Sequence, residues 1–195
     1  MANKTLSILV AGPDAASTRP LLDGLSGTGD IRVTAVEGFA DVTARAAALA
    51  PDAVVAALGG ADRATLDSLF QLARSGGCAV VLFADRAEPG VTAAAVEAGV
   101  ASFVVDGLRP DRVRPIVDTA LSRFAAFETL KRERDEARTQ LAERKLIERA
   151  KGILMQQKSL TEEQAYTALR KAAMRQGRRI ADIAQSIITA SQIEF

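Results

Sequence analysis

Hydrophobic positions in the first ~125 residues fall into short runs separated by polar or glycine-bearing turns. Leu6–Val10, Ile31–Val36, Ala53–Ala57, Ala79–Phe83 and Ser102–Val105 are short, apolar and mostly β-branched. That is the pattern of strands covered on both faces, not of strands with one wet side. Residues 15–27, 39–50, 62–74 and 88–98 carry helical spacing instead. Strand and helix signals therefore alternate, which predicts a parallel sheet with helices on both sides. Gly99 fits a helix C-cap ahead of the last strand. Pro51-Asp52 and Glu88-Pro89-Gly90 read as turns or helix starts.

Beyond Pro115 no glycine or proline occurs until Gly152. The intervening sequence, DTALSRFAAFETLKRERDEARTQLAERKLIERAK, is strongly helix-forming. Phe127, Leu130, Ala137 and Leu141 recur at the spacing of a coiled-coil seam, interrupted by Arg134 and Arg144, and Val117, Leu121 and Phe124 extend the apolar face upstream. Some 40 helical residues reach about 60 Å. A helix that long with so thin an apolar stripe needs a partner helix. A parallel homodimer through Phe124, Phe127, Leu130, Ala137 and Leu141 is the expected solution, and a solvated single connector the alternative.

Residues 143–195 carry the pattern of three short amphipathic helices, divided at Gln157–Leu160 and Gln176–Arg179. Ser159 with Glu162, or Thr161 with Gln164, has capping-box spacing. Gly177 suits a left-handed helix end. Ile147, Ile153, Leu154, Ala165, Leu169, Ala172, Ile180, Ile183, Ala184 and Ile187 are the expected core. The first of these helices is expected to continue the coiled coil, which would lend stability to so small a core. The predicted fold class is thus α/β plus all-α: a flavodoxin-like (βα)5 domain over 1–124 with strand order 2-1-3-4-5, a coiled-coil helix over 125–142, and a three-helix domain over 143–195.

Composition narrows the chemistry. The chain has 195 residues, 48% hydrophobic and 25% charged, with no histidine and one cysteine. Histidine-based triads and metal sites are excluded, as is a thiolate zinc site. Cys78, in an apolar stretch, is expected to be a buried thiol. No apolar run approaches the ~18 residues that span a bilayer, and MANKTLSILVAGPD has too short an apolar core for a signal peptide. These features favour a cytoplasmic protein that is not an enzyme, with no catalytic residues, metal or cofactor assigned. The net charge of +1 conceals a polarity. Residues 1–110 hold eight Lys/Arg against twelve Asp/Glu, and residues 142–195 ten against six. A polyanion would bind the C-terminal segment.

Ala150-Lys151-Gly152-Ile153-Leu154-Met155, followed in register by Ala165, Tyr166, Leu169, Ala172, Ile180, Asp182, Ile183 and Ala184, resembles the signature of the ANTAR domain. That domain is the RNA-binding output module of antitermination regulators of the AmiR/NasT type. The likeness extends over nearly the whole chain to the NasT-like nitrate-assimilation antiterminators, through Phe70-Gln71-Leu72, the run Val104–Arg109 and the run from Ser122 to Ser186. The resemblance implies a leader RNA with paired six-nucleotide-loop hairpins as target. It also implies a NasS-like nitrate/nitrite sensor protein as controlling partner. Arg144, Lys145, Arg149, Lys151, Lys158, Arg170, Lys171, Arg178 and Arg179 are the expected phosphate contacts. Gly152 implies close approach by RNA or by a neighbouring helix, since glycine inside a helix costs ~1 kcal/mol relative to alanine. Tyr166 is either a base-stacking residue or a brace between helices. A protein–protein adaptor and a DNA-binding response regulator are the alternatives for the basic helical tail.

The N-terminal part resembles a receiver domain, whose metal and phosphate chemistry needs carboxylates at the strand ends. Here the first strand ends in Val10-Ala11-Gly12-Pro13-Asp14, without an acidic pair. Ala57 (or Ala56) stands at the phosphoacceptor position. The fourth strand ends in Phe83-Ala84, and Asp106 stands where a lysine belongs. Asp62 and Asp85 read as helix caps or solvated surface. The expectation is a pseudo-receiver, which keeps the fold without aspartyl-phosphate chemistry.

Overall fold

The computed structural model describes residues 5–27, 30–59 and 63–191; Asp62 lies outside the described residues. The chain forms two compact units, Met1–Thr129 and Leu130–Phe195.

The first unit contains β1 (Leu6–Gly12), α1 (Ala15–Leu25), β2 (Ile31–Glu37), α2 (Val42–Leu49), β3 (Ala53–Leu58), α3 (Arg63–Ser75), β4 (Ala79–Ala84), α4 (Val91–Glu97), β5 (Ser102–Val105) and the start of α5 (Pro110–Lys158). The five strands are parallel in the order β2-β1-β3-β4-β5, which matches the flavodoxin-like expectation. Every residue of β3 and of β4 is buried, and the period of two divides them between two cores. Leu9, Val54, Ala56, Val80 and Leu82 pack with α2, α3 and α4. Ile8, Val10, Val55, Ala57, Val81 and Phe83 pack with α1 and the first turns of α5. The strands read as continuous apolar runs because both faces are covered.

Cys78 is buried in the first of these cores, and burial pushes its thiol above the ordinary value. Gly99 is left-handed just past α4, and the next amide, Val100 N–H, returns to Ala95 O at 3.0 Å. Arg114 near the start of α5 donates to Asp30 at 2.9 Å and to Asp118 at 2.8 Å. The first pair ties the helix to the turn that precedes β2, and the second, within α5, holds the guanidinium in place.

The second unit consists of the remainder of α5, α6 (Glu162–Gln176) and α7 (Ile180–Ser191). No cap interrupts α5 between the sheet-bearing residues and Lys158, so the first helix of the C-terminal trio is the end of α5, as expected. Lys158 is its last residue, so the helix runs two residues into the expected Gln157–Leu160 division. At the start of α6 the two possible capping boxes resolve to Thr161 with Gln164. The Gln164 amide donates to Thr161 Oγ1 at 3.3 Å, and the Thr161 amide to Gln164 Oε1 at 3.0 Å. Gly177 ends α6 at φ 62°, a left-handed conformation without penalty for glycine. The core joins Ala150, Leu169, Ala173, Ile183, Ala184 and Ile188, with Ile147, Ile153, Leu154, Ala172, Ile180 and Ile187 partly buried around them.

Candidate functional site

The expected site residues fall at two places, the C-terminal ends of the strands and the outer faces of the helical unit.

At the strand ends the register places Ala57 opposite Phe83 and Leu58 opposite Ala84, which in turn lies opposite Val105. Ala57 is buried, its methyl group part of the core shared with α1 and α5. Asp14 is occupied as the N-cap of α1, where its carboxylate accepts the Ser17 amide at 2.8 Å. That hydrogen bond, with others from Ser17 and Ala16, holds the Asp14 carboxyl below its ordinary value. Asp106 is exposed, with a left-handed φ of 51°, and Asp85 is exposed after β4. Among the described residues no three His, Cys, Asp or Glu side chains lie close enough together to hold a metal ion. At this rim α1 starts on a side-chain cap, and β3 and β4 end in buried apolar residues.

The helical unit divides its cations into two kinds. Arg144, Lys145 and Arg149 are exposed on α5 and make no ion pair among the described residues. Helical spacing puts Lys145, Arg149 and Gly152 together on the side of α5 away from Ala150, which is fully buried. A side chain at Gly152 would meet nothing within 4 Å. The neighbouring helices of this chain therefore do not require the glycine, and the alternative of close approach by an internal helix is removed.

Lys151 behaves differently from the other expected phosphate contacts. Its side chain is only 9% exposed, and its Nζ lies 2.9 Å from Glu148 and 2.6 Å from Glu162. It is spent on joining α5 to the first turn of α6. The Glu162 carboxylate, and after it Glu148, raises the lysine above its ordinary value, and Lys151 in turn lowers Glu162. The sequence carried a partial signal, because Glu148 stands three residues before Lys151. Glu162 could not be paired with it without the turn of Ser159–Thr161.

Arg179 is also engaged, donating to Glu143 at 2.8 Å and to Asp182 at 3.3 Å. This brings the α6–α7 turn to the turn of α5 that carries Arg144. Arg178 reaches Asp182 O and Ser186 Oγ only at 3.5 Å. Arg170, Lys171 and Lys158 are exposed without ion partners among the described residues. Tyr166 is 43% exposed on α6, between the two roles left open for it. Met174, 74% exposed on the same helix, had no place among the expected site residues, because an isolated methionine in an amphipathic pattern reads as core.

The expected dimer stripe also separates. Phe124 packs against the sheet core shared by α1 and α5, so that core claims the residue and the stripe begins later. Phe127, Leu130, Ala137 and Leu141 are exposed in the single chain.

Residues 135–188 match the ANTAR domain family, and the chain carries an ANTAR domain in its C-terminal third. Over 53 residues it is 47% identical to the Nitrate regulatory protein of Klebsiella oxytoca, a match covering 27% of this chain and 13% of that protein. Over 124 residues it is 27% identical to the Transcriptional regulatory protein PdtaR of Mycobacterium tuberculosis (strain ATCC 25618 / H37Rv), covering 64% of this chain and 60% of that one. The chain thus spans less than two thirds of either relative. The sheet unit has the receiver fold. The signal receiver domain of a modulated diguanylate cyclase from Desulfovibrio desulfuricans G20 superimposes with a TM-score of 0.53 at 12% identity, over 62% of this chain and 97% of that chain. The relatives named by sequence are regulatory proteins.

Proposed function

We propose that this chain is an RNA-binding transcription antiterminator. It stabilises leader-RNA hairpins so that the competing terminator does not form, and so permits expression of nitrate or nitrite assimilation genes. The observation that carries this reading is the unpaired cation set Arg144, Lys145 and Arg149, the last two on the side of the open Gly152, within the segment that matches the ANTAR domain. Cations without internal partners are available to phosphates, and their binding releases counterions from the nucleic acid. An uncovered glycine lets a backbone approach the helix closely. Single-stranded loops are what proteins read on RNA, because the A-form major groove is too narrow for side chains.

Control runs through a sensor partner of the NasS type and not through phosphorylation. The support is the strand-end rim, where Ala57 is a buried methyl group and Asp14 is a helix cap. A homodimer through Phe127, Leu130, Ala137 and Leu141 would present two helical units to two hairpins and gain effective concentration from the linkage. The chain acts in the cytoplasm.

A gel shift with an RNA bearing two six-nucleotide-loop hairpins, set against a DNA duplex of the same sequence, tests the reading. Preference for the RNA is expected. Preference for the duplex would make the chain a DNA-binding regulator, and binding of neither would make it a protein adaptor. Tandem hairpins of this kind upstream of a nitrate or nitrite reductase operon would supply the natural probe.

A further inference from the structure

Met174 is the most exposed of the large hydrophobic side chains in the described structure, at 74%. It does not stand alone. Tyr166, Arg170 and Met174 are spaced by four residues along α6, so they follow one gently winding line on its outer side. The line is about 12 Å long, at 1.5 Å per residue. The buried side of the same helix is fully used by Ala165, Leu169 and Ala173. The helical core leaves Arg170 and Met174 outside it, with Tyr166 half-buried at its edge.

Their surroundings are mostly basic: Glu162 and Glu163 stand one turn before Tyr166, and Glu162 is taken up by Lys151. From Tyr166 to Arg179 the chain contains Arg170, Lys171, Arg175, Arg178 and Arg179 and no acidic residue. Among the described residues Arg170, Lys171 and Arg175 have no ion partner. In the ANTAR part of α5, Glu143 and Glu148 lie among the cations and take up Arg179 and Lys151. A protein partner with an apolar face would meet three isolated groups here, one of them charged. An unpaired nucleobase suits each of them in turn: a phenol ring to stack on, a guanidinium plane to stack on or donate from, and a polarizable thioether to lie against a π-face.

Resting on the RNA-binding reading above, we infer that Tyr166, Arg170 and Met174 form the base-contacting strip of the helical unit. The cations of α5 hold phosphates, and α6 reads splayed loop bases. Two or three unstacked bases fit along ~12 Å. The strip takes RNA loops in preference to paired stems, because only unpaired bases offer both faces.

The test is fluorescence anisotropy on the full chain with two labelled RNAs. One carries paired stems with six-nucleotide loops, and the other has the same stems joined as continuous duplex without loops. Wild-type protein is expected to prefer the looped RNA. Met174→Ala and Tyr166→Leu should each weaken looped-RNA binding several-fold to about tenfold. Both should leave duplex binding and the melting temperature unchanged, and Met174→Leu should recover part of the loss. Arg170→Ala should lower affinity for both RNAs and for the looped one more. Loop preference unchanged within twofold in Met174→Ala and Tyr166→Leu would overturn the strip while leaving the RNA-binding reading intact. Failure of the wild-type chain to bind either RNA would overturn that reading, and the strip with it.

Discussion

The rim of the sheet and the surface of the helical unit handle charge in opposite ways. In the sheet unit the fold resides in strand interiors such as Val54–Ala57 and Val80–Phe83, which are buried on both faces. The chemistry of a receiver resides at their C-terminal ends and in the loops that follow. The two sets meet only at positions such as Ala57, so a methyl group can stand at the acceptor position while the sheet keeps its order and register. In the helical unit the two sets interleave on the same helices. Ala150 is core, Arg149 is surface and Lys151 is an internal tie, all within one turn. A change in the first unit can remove chemistry without removing structure. In the second, neighbouring positions decide which of the two is lost.

The largest expected effect breaks this comparison at the core. Leu169→Ala in the helical unit and Leu82→Ala in the sheet unit each remove a fully buried leucine, at a cost of about 2–5 kcal/mol. The helical unit has far less buried surface to lose. Leu169→Ala should therefore abolish its cooperative melting, read by circular dichroism or calorimetry. Leu82→Ala should only lower the melting of a sheet that stays folded. Equal losses in both units would mean that they do not fold with separate stabilities.

Next in size is the loss of surface cations. Arg144→Ala with Arg149→Ala should weaken hairpin binding at least tenfold at low salt. It should also reduce the slope of log K against log salt by roughly 0.7–0.9 per residue. An unaltered slope would take α5 out of contact with phosphate.

Smaller again is the effect of the internal tie. Lys151→Met should lower the melting temperature of the helical unit without altering the salt slope; a slope change like that of Arg149 would return Lys151 to the phosphate contacts. The pH dependence has a defined sign. Glu162 is held below its ordinary value of 4.5 by Lys151. Its contribution is fully present above that value and is lost as pH falls through the lowered folded one. Lys151, raised above 10.5, contributes throughout that range and loses its share only in strong alkali. Thermal melts between pH 5 and pH 3 should show destabilisation that Glu162→Gln largely removes. An identical acid limb in both proteins would mean that other carboxylates carry it.

The sheet was legible because double burial writes itself as uninterrupted apolar runs. All five strands stood within two residues of their observed ends. The capping residues Thr161, Gln164 and Gly177 were legible for a local reason, since each acts within four residues of itself. What the chain did not disclose in sequence was the long-range pairing of charges. Lys151 looks no different from Arg149 until the α5–α6 turn brings Glu162 to it, and Arg179 looks free until Glu143 is found opposite. Phe124 shared the spacing of the exposed stripe, and only the packing of α5 on the sheet assigned it to the core. Met174 was silent because periodicity reports which side of a helix is apolar, not an apolar residue on the wrong side.

The most direct measurement is an anisotropy titration of the full chain with the paired-hairpin RNA, untreated and after incubation with Mg²⁺ and a small phosphodonor. The expected result is one Kd in both conditions, at least tenfold tighter than for the matching DNA duplex, and no phosphoryl group on the protein by mass spectrometry. Stable incorporation of one phosphoryl group with a changed RNA affinity, or equal affinity for the duplex, would contradict it.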